Sequence, residues 1–203
     1  MDQKPENNTM SFFNVNQEKF TVPGNSTYAN MVSKGKKVAI YGDSIIKRIK
    51  VNEFNKHISG TALKKSFPGA NCEEINHYID YSLRNDRPDC VIIHAGTNDL
   101  GNKNESKDNK TIANEIMEIA RKCKANGVNQ IFISGITCRS GFEVTRKLKD
   151  INDKVRNMCV QEKFNYICND EITTDFLWRD GLHLLDEGTN LLADNFIYAL
   201  NSV

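Results

Sequence analysis

The sequence predicts an α/β protein, a three-layer α/β/α sandwich around a five-stranded parallel sheet. Three observations lead there. Short runs apolar at successive positions recur along the chain, most clearly Val38-Ala-Ile-Tyr41 and Cys90-Val-Ile-Ile93. Such runs mark strands buried on both faces, as parallel strands are. They alternate with longer segments of helical apolar spacing, the pattern of β-α-β crossovers.

The elements follow in order. Val38 to Tyr41 is the first strand, bounded by Lys residues and by Gly42-Asp43. Ile45 to His57 carries helical spacing through Ile45, Ile49 and Phe54. Thr61 to Phe67 is the second strand, stopped by Pro68-Gly69, a turn signal. Asn71 caps a helix whose apolar face is Ile75, Tyr78, Ile79 and Leu83. Asp89 to Ala95 is the third strand, ending at Gly96, and a polar loop runs from Asn98 to Asn109. The helix Thr111 to Ala125 presents Ile112, Ile116, Ile119, Ala120 and Cys123 on one stripe and stops at Asn126-Gly127. Gln130 to Ile136 is the fourth strand. Val144 to Val160 is an amphipathic helix through Leu148, Ile151, Val155 and Met158, too short in its heptads for a coiled coil. Tyr166 to Cys168 is the fifth strand, and Asp186 to Asn201 the last helix.

In open α/β sheets the working residues sit in loops after the C-terminal ends of strands. Four such loops carry the parts of acyl transfer. Gly42-Asp43-Ser44 offers a hydroxyl at the start of a helical turn, where the Ser44 N–H is free to face an anion. His183 can take the hydroxyl proton and return it to the leaving group. Asp180, three residues earlier, can hold the imidazole tautomer. Gly69, with no side chain in the way, can bring a backbone N–H close to a substrate, and Asn98 carries an amide donor that can face an oxyanion. Arg139 and Trp178 are candidates for substrate contact, because guanidinium suits carboxylate or phosphate and the indole can wall a pocket. Asp43 and Asp99 read as turn-shaping carboxylates. His57 and His77 fall in helices, and His94 falls inside the third strand as a core or sheet-face histidine.

These residues resemble the four blocks of the SGNH hydrolases, the GDSL esterase/lipase superfamily. Ser44 in Tyr-Gly-Asp-Ser matches the first block and Gly69 the second. Gly96 to Asp99 matches Gly-x-Asn-Asp, and Asp180 with His183 matches Asp-x-x-His. The resemblance spans roughly residues 36–200. It implies a flavodoxin-like strand order of 2-1-3-4-5 and ester hydrolysis with no metal and no cofactor. It also implies an oxyanion hole from the Ser44 N–H, the Gly69 N–H and the Asn98 amide. Within the superfamily, Phe67-Pro-Gly-Ala70 and His94-Ala-Gly-Thr-Asn-Asp-Leu100 are similar to two groups. One is the platelet-activating-factor acetylhydrolase-like branch. The other is the esterase domain in the first open reading frame of some non-LTR retrotransposons.

Composition bounds the reading. Of 203 residues, 27 are Lys or Arg and 26 Asp or Glu, which excludes a whole-domain nucleic-acid footprint. That balance fits a site for neutral esters. No apolar run approaches the ~20 residues of a membrane helix. No secretory leader is visible, so an intracellular, cytoplasmic protein is expected, with its six scattered cysteines reduced. Residues 1–35 read as a flexible arm poor in aliphatic side chains, with a docking segment around Phe12–Phe20 as the alternative, and residues 36–203 as the domain. No G-x-S-x-G, P-loop, G-x-G-x-x-G or H-E-x-x-H is present. The expected function is hydrolysis of acetyl or other short acyl esters, with lipid and O-acetylated carbohydrate as candidate substrates. The alternative is a weakly active or inactive binding or assembly module of a mobile-element or other larger particle that keeps the fold. Oligomeric state is not legible.

Overall fold

The computed structural model describes residues 20–21, 35–100 and 107–203. The strands are β1 (Phe20–Thr21), β2 (Lys36–Gly42), β3 (Gly60–Ser66), β4 (Cys90–His94), β5 (Gln130–Ser134) and β6 (Asn165–Ile167). The helices are α1 (Val51–Phe54), α2 (Cys72–Asp86), α3 (Asn109–Ala125), α4 (Phe142–Glu162) and α5 (Asp186–Asn201). Strands β2 to β6 form an all-parallel sheet in the order β3-β2-β4-β5-β6, which is 2-1-3-4-5 counted from Lys36. β1 adds a two-residue antiparallel edge, with Phe20 opposite Ile167 and Thr21 opposite Tyr166. The rest of the expected arm before Gly35, including the segment Phe12 to Lys19, lies outside the described residues.

The continuous apolar runs have the cause the sequence suggested. Side chains alternate across a strand, and here both faces are covered. Ala39, Tyr41, Val91, Ile93, Ile131 and Ile133 pack under α2, α3 and α4. Val38, Ile40, Cys90, Ile92 and Phe132 pack on the other face, under α5 and the segment after β2. A buried tyrosine needs a partner for its hydroxyl, and Tyr41 donates to Ser82 Oγ at 2.8 Å. The six cysteines are free thiols; Cys72, Cys90, Cys123 and Cys159 are buried and Cys138 and Cys168 partly so. No helix among the described residues is long and apolar enough to cross a membrane.

One element departs from its expected form. The helix read over Ile45 to His57 is broken into a 3-10 turn (Ile45–Arg48), the single turn of α1 and a second 3-10 turn (Asn55–His57). Ile45, Ile46, Ile49 and Phe54 are all buried, so the apolar spacing was real. Lys64 Nζ donates to the carbonyls of Lys47 and Ile49, at 2.5 and 2.7 Å, and takes acceptors that a continuous helix would have used itself.

Two local devices place the strand ends. Asn71 and Glu74 make a reciprocal capping box at the start of α2, each bond 2.9 Å. At Gly42 a Cβ would lie 2.4 Å from the backbone oxygen of His94, so β2 and β4 approach as closely as they do only because the residue is glycine. Removing the cap, Asn71→Ala, is expected to cost about 1 kcal/mol in urea unfolding. Gly42→Ala should cost more, because the obstruction is backbone in the central strand pair; equal midpoints for the two variants would refute the close-approach account.

Candidate active site

The C-terminal edge of the sheet gathers the four loops. After β2, Asp43 Oδ1 accepts from the Ile45 N–H at 2.9 Å and turns the chain into the 3-10 helix at Ser44. Residues 176–185 form a tight excursion. Trp178 N–H donates to His183 O at 2.8 Å, Gly181 N–H to Trp178 O at 2.9 Å and Leu185 N–H to Phe176 O at 2.7 Å. Inside it, Asp180 Oδ1 accepts from the backbone N–H groups of Leu182 and His183, each at 2.9 Å. Gly181 has φ +67°, and a Cβ there would lie 2.6 Å from Ser140 Oγ. Ser140 N–H donates to Gly181 O at 2.9 Å, so this excursion rests on the loop after β5.

Three side chains then fall into line. His183 Nε2 lies 2.9 Å from Ser44 Oγ. His183 Nδ1 lies 2.8 Å from Asp180 Oδ2. With Nδ1–H donating to Asp180, Nε2 is left as the acceptor facing the hydroxyl, the tautomer a general base needs. The Asp180 carboxyl is pulled down to about 2, first by its bond to the His183 ring and then by the two backbone N–H groups. It therefore remains an anion at any ordinary pH.

The expected oxyanion donors stand at the start of the 3-10 turn and on two loops bonded to each other. The Ser44 and Gly69 N–H groups donate to no described residue. Gly69 is exposed, has φ +82° and has open space where a Cβ would stand. Asn98 uses one of its two amide hydrogens on Ala70 O at 2.9 Å, and the other has no acceptor among the described residues. That bond clamps the Gly69 loop to the Asn98 loop. The next residue repeats the clamp: buried Asp99 accepts from the Cys72 N–H at 3.0 Å. Lys107 ties Asp99 to Glu115, at 3.1 and 2.7 Å. Cys72, Asp99 and Glu115 are the candidate metal ligands among the described residues, but the Lys107 ammonium already bridges the two carboxylates.

Arg139 and Trp178 separate. The Arg139 guanidinium donates to Thr97 O at 2.7 Å, steadying the loop that carries Asn98, and it does not line the cleft beside Ser44. Trp178 does line it and is 48% exposed. Phe176 and Leu177 pack on the core instead. The cleft is open, about 380 Å³, and is completed by Lys47, Arg48, Pro68, Asp180 and His183. Its volume falls within the ~300–1,000 Å³ common to small-molecule sites. Sequence reasoning missed Lys47 and Arg48. For Lys47 the signal was present, since it stands three residues after Ser44 and a turn of three residues puts the two on one face.

Two buried groups oppose folding. Burial pushes the Asp43 carboxyl up to about 6, against the hydrogen bonds from the Ile45 N–H and the Thr97 side chain. Burial pushes His94 down to about 4; its Nδ1 meets Ser134 Oγ at 2.9 Å and its Nε2 has no partner among the described residues.

A hydroxyl, an imidazole and a carboxylate aligned at the C-terminal edge of a parallel sheet are the arrangement found in serine hydrolases on α/β folds. The family follows from the sequence: the GDSL-like Lipase/Acylhydrolase model matches residues 11–196, and the chain belongs to that family, as a carboxylic ester hydrolase of the SGNH superfamily. Solved structures share the fold at low identity. A GDSL-like lipase from Bacteroides thetaiotaomicron is 17% identical with a TM-score of 0.70, covering 81% of this chain and 87% of its own. A catalytic mutant of an acetylxylan esterase from Geobacillus stearothermophilus is 14% identical with a TM-score of 0.72, covering 84% and 96%. A lipase/acylhydrolase from Enterococcus faecalis is 15% identical with a TM-score of 0.68, covering 82% and 95%. No curated protein sequence is significantly similar to this chain.

The two titrations oppose each other. Asp43 binds its proton more tightly folded than unfolded, so its contribution is present below about pH 4 and lost as pH rises through about 6. His94 is the reverse: its contribution is present above about pH 6.5 and lost as pH falls toward 4. Each is worth about 3 kcal/mol at most, since a tenfold change in proton affinity is worth ~1.4 kcal/mol. Asp43→Asn is expected to raise stability at pH 8 and to leave urea midpoints that climb from pH 4 to 6.5, where the parent's stay nearly level. Arg139→Met tests the second assignment through kinetics. A positioning role lowers kcat, by about 10–100-fold for a displaced Asn98 loop, with KM nearly unchanged; a rise in KM alone would instead make Arg139 a substrate contact.

Proposed function

We propose that this protein is a serine esterase that hydrolyses short acyl esters through an acyl-Ser44 intermediate. The observation that carries the reading is the line Asp180–His183–Ser44, with contacts of 2.8 and 2.9 Å. Ser44 Oγ attacks the ester carbonyl as its proton passes to His183 Nε2. The carbonyl oxygen becomes an oxyanion held by the Ser44 N–H, the Gly69 N–H and the second amide hydrogen of Asn98. Collapse breaks the bond to the alcohol, whose oxygen takes the proton from His183. Water then repeats the sequence on the acyl-serine, giving the carboxylic acid and restoring Ser44. Asp180 stays ionised and stabilises the imidazolium throughout.

A short acyl group is favoured by one fact: a solved structure with the same fold is named as an acetylxylan esterase. Acetyl esters of small alcohols, O-acetylated carbohydrate among them, are the proposed substrates.

Incubation with a fluorophosphonate should place a single phosphonyl adduct on Ser44, found by peptide mass spectrometry. Ser44→Ala should lose the adduct and lower hydrolysis of p-nitrophenyl acetate by about 10⁴-fold or more while leaving the circular dichroism spectrum unchanged. An Ala variant that still turns over at the parent rate would remove Ser44 from the mechanism.

A further inference from the structure

The cleft has a charged wall that ester hydrolysis itself does not require. Ser44 precedes the 3-10 turn Ile45–Arg48, and in a turn of three residues Lys47 stands over Ser44 on the same face. Lys47 and Ser44 both line the cleft. The charges around it are otherwise paired. Arg48 is bound to Asp186 at 2.5 Å and lies over the Trp178 ring, 5.5 Å from its centre. Asp180 is taken by His183. Lys47 alone among the charged cleft residues has no acidic partner among the described residues, and its backbone is held by the bond from Lys64.

The geometry also says which half of the substrate meets this wall. Of the three oxyanion donors only Ser44 lines the cleft, together with His183, Trp178, Arg48 and Lys47, while Gly69 and Asn98 do not. His183 must hand its proton to the leaving oxygen, so the alcohol half of the ester lies on the His183 side. Lys47 and Trp178 therefore flank the alcohol, not the acyl group.

We propose that the cleft selects acyl esters whose alcohol carries an anionic group, carboxylate or phosphate, received by the Lys47 ammonium beside the flat wall of Trp178. Arg48 acts through Trp178: the ion pair to Asp186 and the cation-π contact hold the ring in place. The near-neutral balance of the whole chain averages over this local asymmetry. The inference rests on the esterase reading above and names the class of alcohol for that same site.

The test compares kcat/KM for 4-acetoxybenzoate and 4-acetoxyphenyl phosphate with that for the uncharged methyl 4-acetoxybenzoate, using the parent, Lys47→Gln and Lys47→Glu. Taking ratios between proteins cancels the differing reactivity of the three phenols. The charged-to-neutral ratio should fall about fivefold in Lys47→Gln, the weight of one partly exposed ion pair, and further in Lys47→Glu. Raising salt to 1 M, where the Debye length is about 3 Å, should bring the parent's ratio toward that of Lys47→Gln. A fall for one anion only assigns the site to that anion. Ratios equal in all three proteins, with the neutral ester still hydrolysed, would overturn the anion site and leave the esterase standing. No hydrolysis of any ester by the parent would overturn both.

Discussion

The contact between His183 and Ser44 joins residues 139 positions apart, and the whole domain is arranged to make it. A 2.9 Å contact between two loops cannot be held by the loops themselves, because exposed loops are the most mobile parts of a fold. Here each loop leaves a strand that is locked into the same parallel sheet. β2 ends one residue before Asp43, and its pairing with β4 and β3 runs without a slip to Gly42. Ser66 Oγ donates to Asp43 O at 2.7 Å and Phe67 N–H to Gly42 O at 2.8 Å, so the turn into Ser44 is fastened to the neighbouring strand end. On the far side, Gly181 meets Ser140, fastening the histidine loop to the loop after β5. Shared strand ends convert a long-range contact into a set of short ones.

The oxyanion side is built by the same means. Asn98 and Asp99 each bind a backbone group of the Gly69-to-Cys72 loop, one as donor and one as acceptor. Arg139 holds the carbonyl of Thr97 just before them. Three side chains thus fix the two loops that carry the proposed oxyanion donors, Gly69 and Asn98, the kind of preorganisation that electrostatic catalysis depends on. Asp43 belongs to the same arrangement: burying its carboxyl opposes folding, and it persists where the turn into Ser44 is made.

Much of the fold was legible because both faces of the sheet are buried. Runs such as Val91-Ile-Ile93 can only be central strands, and their helical spacers can only be crossovers. The four loop motifs were legible because each needs a particular residue type at the end of a strand. The exceptions have local causes. The segment after β2 kept its apolar spacing but broke into turns, because Lys64 from another strand captured its carbonyls. Arg139 has the right chemistry for an anion in its sequence context, yet a backbone carbonyl 42 residues earlier claims it.

The sequence by itself determined the class of fold, the strand order once its motifs were recognised, and the residue types at each strand end. These depend on periodicity and turn chemistry, which are local. The tertiary structure alone decided the alignment of Asp180, His183 and Ser44, the clamp between the Gly69 and Asn98 loops, and which cleft cation remained without a counter-charge among the described residues. Lys47 and Arg48 are adjacent and identical in sign, and no pattern in the chain separates them. They differ because Asp186 and Trp178, more than a hundred residues away in sequence, come within reach of one and not the other. Pairing is a property of distance in space, and only the folded chain sets it.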